Sequence, residues 1–184
     1  MTDRILPDDI ATLAQRVVEE NAAAGRKIVV AESCTGGLVA AALTEIPGSS
    51  AVLDRGFVTY SNEAKMEMLD VPLEIIETFG AVSIACVWAM AKGALRNSGA
   101  DVAVAISGVA GPSGGTAMKP VGTVVFSKLV SGEEGEPHGE LKRFEPGSRA
   151  DIRHQATLCA LELLLPGARS WSRKVAPAVW WRRR

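Results

Sequence analysis

The sequence predicts an α/β fold: a three-layer α/β/α sandwich around a mixed, mostly parallel central sheet. Two observations carry that expectation. The runs Ile28-Val29-Val30-Ala31 and Val102-Ala103-Val104-Ala105-Ile106 are apolar throughout, the pattern of strands covered on both faces rather than one. Around them lie segments with apolar residues at helical spacing, and strand and helix signals that alternate describe a sheet flanked by helices. A chain of 184 residues, 47% hydrophobic and 22% charged, suits one globular domain with a sizeable core. Residues 1–167 read as that domain and 168–184 as a tail.

Taken in order, residues 8–24 form an amphipathic helix, with Pro7 and Asp8 at its start, Ile10, Leu13, Ala14 and Val17 on one face, and Gly25 past its end. The first buried strand then breaks into Glu32-Ser33-Cys34-Thr35-Gly36-Gly37 before Leu38–Leu43 resumes as a helix. Reactive side chains beyond the carboxyl end of a buried strand stand where open α/β sheets bind ligands. The glycines let backbone N–H groups come close, and the helix N-terminus favours an anion. Two readings of this turn stand side by side: Ser33 as a nucleophile, or Ser33 and Thr35 as helix caps.

Residues 52–60 are β-prone, and Gly56 within them marks a bulge or a close backbone approach. Ser61 caps a short helix from Asn62 to Leu69 that carries Lys65 near its first turn. The helix dipole there disfavours the charged amine, the more so under burial, so Lys65 is a candidate general base; the alternative is a surface lysine balanced by Glu63 and Glu67. Val71–Phe79 is helical, begun by Pro72 and ended by Gly80. Ser83 caps a long helix to about Asn97, with Trp88 in the core and Gly99 as the residue that turns the chain away.

The second buried strand ends in Ser107-Gly108-Val109-Ala110-Gly111-Pro112-Ser113-Gly114-Gly115, so two buried strands each deliver a Gly-rich loop, the two walls of one pocket. A strand at Val124–Phe126, an exposed hairpin tip over 132–139 containing His138, and a strand near Leu141–Phe144 follow, with connections short enough for antiparallel pairing. Ser148, with Asp151 three residues on, opens the last helix. Arg149 and Arg153 share a face of its first turn and suit either a phosphate or carboxylate between them or a structural salt bridge.

Composition limits the chemistry. Cys34, Cys86 and Cys159 are scattered and only His138 and His154 are present, so no disulfide framework, metal cluster or Ser-His-Asp triad is indicated, and no cofactor is expected. Neither Gly-rich loop is a Walker A or dinucleotide fingerprint. No apolar run approaches the length of a membrane span, and Met-Thr-Asp-Arg does not open a signal peptide, so a cytoplasmic location is expected. Residues 167–184 hold six of the 20 basic residues and no acid, with Trp171, Trp180 and Trp181 among them. That tail suits a disordered terminus or docking on a neighbouring subunit better than contact with nucleic acid or a membrane.

From Leu13 to Leu165 the sequence resembles the CinA C-terminal domain family. The resemblance rests on an ordered set of motifs: Ala31–Gly37, Gly56–Lys65, Gly80–Ser83, Ile106–Pro112, Lys119–Thr123, and Arg149 with Arg153. It implies a metal-independent Ser/Lys hydrolysis of nicotinamide mononucleotide to nicotinate mononucleotide and ammonia, a step of pyridine-nucleotide recycling. By position Ser33 is then the nucleophile, Lys65 its base, and Tyr60 a helper that relays the proton or orients the lysine. Glu32, Thr35, Gly36, Gly37, Ser107, Gly108, Gly111, Arg149 and Arg153 make up the expected nucleotide-substrate site, with Thr35 as the helix cap and Glu32 either an orienter of Lys65 or a structural acid. Ser107 stands where many relatives have Thr. Longer members add a nucleotide-pyrophosphatase-like domain, whose activity does not carry over to these residues. A homo-oligomer is expected. Two alternatives are a thiol hydrolase using Cys34, and a non-catalytic nucleotide-binding protein of the competence or DNA-damage response.

Overall fold

The computed structural model describes residues 4–132, 138–145 and 147–168. Strand β1 (Ile28–Glu32) lies inside the sheet between β2 (Leu53–Val58) and β3 (Val102–Gly108), and β4 (Thr123–Val130) and β5 (Glu140–Arg143) complete the order β2-β1-β3-β4-β5. β1 pairs in parallel with both neighbours, whereas β3–β4 and β4–β5 are antiparallel. Four of the five strands therefore share one direction and β4 alone is reversed. The hairpin after β4 allows what a parallel crossover would not, since antiparallel neighbours need only a short connection.

Strand alternation divides the core in two. Ile28, Val30, Val104 and Ile106 face one layer, formed by α1 (Asp8–Ala23), α2 (Leu38–Thr44) and α6 (Arg149–Leu164). Val29, Ala31, Ala103 and Ala105 face the other, where α5 (Ile84–Arg96) packs with α3 (Asn62–Leu69) and α4 (Leu73–Phe79). The predicted caps form: Ser61 accepts from the Ala64 amide at 3.0 Å, Ser83 from Cys86 at 3.1 Å, and Ser148 makes a reciprocal capping box with Asp151. At the far end of α6, the buried Lys128 amine donates to the Leu165 and Ala168 carbonyls at 3.2 and 2.9 Å.

Several local expectations are corrected. Of the two readings of Gly56 the close approach holds: a Cβ there would sit 3.0 Å from the Ala40 Cβ on α2, and the register shift between β1 and β2 falls at Asp54. Gly99 does not turn the chain out of α5, which ends at Arg96 with Asn97 as a cap at φ −94°. Trp88 is half-buried, with the Lys92 amine 5.0 Å from its ring centroid. His138 is half-buried, its Nε2 3.1 Å from the Lys128 carbonyl. The tryptophan-bearing tail lies outside the described residues. No described helix is long and apolar enough to cross a membrane.

At Gly93 of α5 the backbone packs directly on α3: a Cβ there would fall 1.9 Å from the Leu69 carbonyl oxygen at the end of that helix. Gly93→Ala is expected to destabilise the domain by about 1–3 kcal/mol, because overpacking must push α3 outward. Urea unfolding of the variant against wild type measures it.

Candidate active site

Glu32 and Ser33 end β1 on opposite faces. The Glu32 carboxylate, fully buried, turns toward α2 and accepts from the amides of Gly37, Val39 and Ala40 at 3.0, 3.2 and 2.9 Å. It satisfies the orphan donors of that helix start, and a negative charge there is favoured by the dipole. This makes Glu32 the structural acid of the turn and not an orienter of Lys65. It also displaces Thr35 from the capping role: Gly37 holds the cap position with no side-chain cap, and the fully buried Thr35 hydroxyl has no partner. Gly36 and Gly37 are left-handed at φ +61° and +92°, which is why two glycines are needed here.

Ser33 faces the other layer. Its amide donates to the Ile106 carbonyl at 3.0 Å, extending the β1–β3 ladder by one residue, and its Oγ lies 3.2 Å from the Lys65 amine. Lys65 is 1% exposed. Its Nζ is also 2.8 Å from the Thr59 carbonyl, 3.3 Å from that of Ser61 and 3.5 Å from that of Tyr60. Among the described residues no salt bridge includes it. Burial therefore dominates and pushes the Lys65 pKa below the ordinary lysine value. The surface-lysine reading is thereby excluded.

A pocket of about 300 Å³ opens over this pair. Of the expected residues, Ser33, Lys65, Tyr60, Ser107, Gly108, Gly111 and Arg149 line it, whereas Glu32, Thr35, Gly36, Gly37 and Arg153 stand behind the wall. The two arginines thus part company. Arg149 donates to the Gly111 carbonyl and to the Tyr60 hydroxyl, each at 2.7 Å. Arg153 donates to the carbonyls of Cys34 and Thr35. Tyr60, 60% exposed, gives Lys65 only its backbone carbonyl; its hydroxyl serves Arg149, so it is not placed to relay a proton to the lysine. Asn62, Ala81 and Val82 also line the pocket and were not foreseen. Their signal was adjacency, since they lie within or beside the motifs holding Lys65 and Ser83.

Cys34 lines the pocket as well, but burial raises its thiol to about 12, and His154 pairs with Asp9 at 3.0 Å on the α1 side. The nearby Arg153 and Lys65 cations pull the other way, but burial outweighs them and keeps the thiol protonated. Among the described residues no group of three His, Cys, Asp or Glu could hold a metal ion.

Fold and site together define a class: a three-layer α/β protein with a buried serine–lysine centre at the carboxyl end of its parallel strands. The chain belongs to the CinA C-terminal domain family, whose model matches residues 10–167. It is 54% identical over 141 residues to a CinA-like protein of Mycobacterium marinum, an alignment covering 77% of this chain and 32% of that protein. The chain spans about a third of the length of such curated relatives. Among solved structures, the competence/damage inducible protein CihA of Agrobacterium tumefaciens superposes with a TM-score of 0.83 at 48% identity, covering 88% of this chain and 96% of that one. A CinA superfamily protein of Escherichia coli gives 0.79 at 32% identity, with 90% and 94% covered.

Glu32→Gln is expected to cost about 2–3 kcal/mol in urea unfolding, since one amide oxygen replaces a carboxylate bonded to three backbone N–H groups. A change below 0.5 kcal/mol would mean that α2 is held by packing alone.

Proposed function

We propose that this domain hydrolyses the carboxamide of nicotinamide mononucleotide, releasing ammonia, with Ser33 as nucleophile and Lys65 as its base. One observation carries the reading: an amine that has no ion-pair partner among the described residues, buried 3.2 Å from a serine hydroxyl that opens onto a pocket. The family's resemblance supplies the substrate.

The geometry suits a neutral amine. A neutral lysine has two N–H donors, which the Thr59 and Ser61 carbonyls can accept, and one lone pair, left for the Ser33 proton. As Ser33 Oγ bonds to the amide carbon, that proton passes to Nζ and the carbonyl oxygen becomes an oxyanion. In the turn, the amides of Gly36, Gly37 and Ser33 are already engaged, whereas those of Cys34 and Thr35 donate to no acceptor among the described residues. The Cys34 amide, on the pocket wall, is the natural oxyanion donor, following the nucleophile by one residue. The C–N bond then breaks as the lysine ammonium protonates the leaving nitrogen. Water attacks the resulting Ser33 ester, again with Lys65 as base, and frees the carboxylate. Arg149 faces the pocket with only uncharged partners among the described residues, which suits it to the substrate phosphate, and Tyr60 orients it.

Ser33→Ala and Lys65→Met are expected to cut ammonia release from nicotinamide mononucleotide at least roughly a thousand-fold with folding retained. Near-normal rates in both variants would defeat the mechanism. Because only neutral Lys65 acts as base, wild-type kcat/KM should rise with pH through the depressed lysine pKa and then level off. The same shift gives a stability signature. Between the folded and unfolded pKa values the unfolded chain holds the extra proton, so native stability rises with pH across that window, and Lys65→Met should lack the slope.

Arg149→Met should raise KM for the mononucleotide by about 10- to 100-fold, the equivalent of one charged hydrogen bond. Hydrolysis of the phosphate-free riboside should be little affected. Equal losses on both substrates would remove the phosphate assignment.

A further inference from the structure

Arg153 was expected to meet the substrate, yet its charge is spent within the protein. From the first turns of α6 its Nε donates to the Cys34 carbonyl at 3.2 Å and its Nη2 to the Thr35 carbonyl at 2.9 Å, 119 and 118 residues away in sequence. Among the described residues no carboxylate forms a salt bridge with it. A Cβ on Gly36 would lie 3.4 Å from that Nη2, so the guanidinium lies directly against the turn.

The turn is therefore held by two opposite charges. Glu32 takes amides from its far side, while Arg153 takes the two carbonyls that follow Ser33. In a trans peptide the carbonyl and the next N–H point in opposite directions, so fixing the Cys34 and Thr35 carbonyls also fixes the Thr35 and Gly36 amides. The Gly36 amide in turn donates to the Ser33 carbonyl at 3.0 Å. Without Arg153, two adjacent left-handed glycines would leave this segment many other conformations.

We propose that Arg153 is a positioning residue for Ser33: it locks the peptide planes of the turn so that the hydroxyl meets Lys65 and the free amides keep their direction. The proposal rests on the Ser33–Lys65 reading. A nucleophile misplaced by about 1 Å can cost on the order of a hundred-fold in rate, which sets the scale of the effect.

The test uses the purified full chain with Arg153→Met and Arg153→Lys. In the Met variant, kcat for ammonia release should fall about 10- to 100-fold with KM within about two-fold of wild type. The acid limb of the pH profile should stay in place, because the surroundings of Lys65 are untouched. The Lys variant, which keeps a cation for one carbonyl, should recover part of the loss and remains informative if the Met variant unfolds. A second readout is the rate at which phenylmethylsulfonyl fluoride labels Ser33, followed by intact mass; this reagent carries no phosphate, so slower labelling in the variants reports positioning and not substrate binding. Unchanged kcat with unchanged labelling overturns the proposal, as does a rise in KM alone, which would make Arg153 a substrate ligand. Failure of the underlying reading shows separately, as retained ammonia release in Ser33→Ala with Arg153 intact.

Discussion

At the end of β1 two consecutive side chains serve opposite layers, and the site depends on that alternation. A strand sends neighbouring residues to opposite faces, so once Glu32 points to α2, Ser33 must point to α3. The parallel ladders on both sides fix where the strand stops: the Ser33 amide is bound by β3, and the Glu32 carbonyl accepts from Thr59 at 2.8 Å just past β2. A one-residue slip would bury the hydroxyl under a helix start and drive the carboxylate toward a lysine. The serine is therefore positioned by the register of a central strand, the least mobile part of such a fold.

Lys65 shows the complementary economy. Among the described residues no carboxylate forms a salt bridge with it, and the amine is surrounded by backbone carbonyls, which hydrogen-bond without supplying a full negative charge. Buried polar groups elsewhere near the site are not all satisfied: the Thr35 and Thr59 hydroxyls are fully buried and unpaired. Each such group costs about 1–3 kcal/mol, and costs of this kind concentrate where geometry serves chemistry more than stability.

Much of this was legible in the sequence, and for identifiable reasons. Two apolar runs without alternation showed which strands are covered on both faces, and both lie inside the sheet. The serine turn and the capped lysine helix were readable because local signals announce them, namely glycines after a strand and a Ser cap before a helix. What could not be read was depth and direction. Arg149 and Arg153 lie on one helix face by spacing, but one turn of rise separates a pocket wall from the back of the serine turn. Glu32 looked unassigned because its partners are main-chain amides, which carry no residue identity. The resemblance implies a helper role for Tyr60 at the lysine, whereas its hydroxyl meets Arg149 on α6, 89 residues on. Gly99 misled because a glycine near a helix end is a signal of termination only when the chain turns left-handed there.

The course of α6 has a practical consequence. It begins at the pocket with Arg149 and ends with Leu164, and its 16 residues span about 24 Å at the usual rise. Lys128, near the end of the one reversed strand, fastens the chain just beyond, at Leu165 and Ala168. The polypeptide thus leaves the described domain at the end of the sheet opposite the pocket mouth. A label, surface tether or fused reporter joined at Ala168 would therefore start from the end of the sheet remote from the serine.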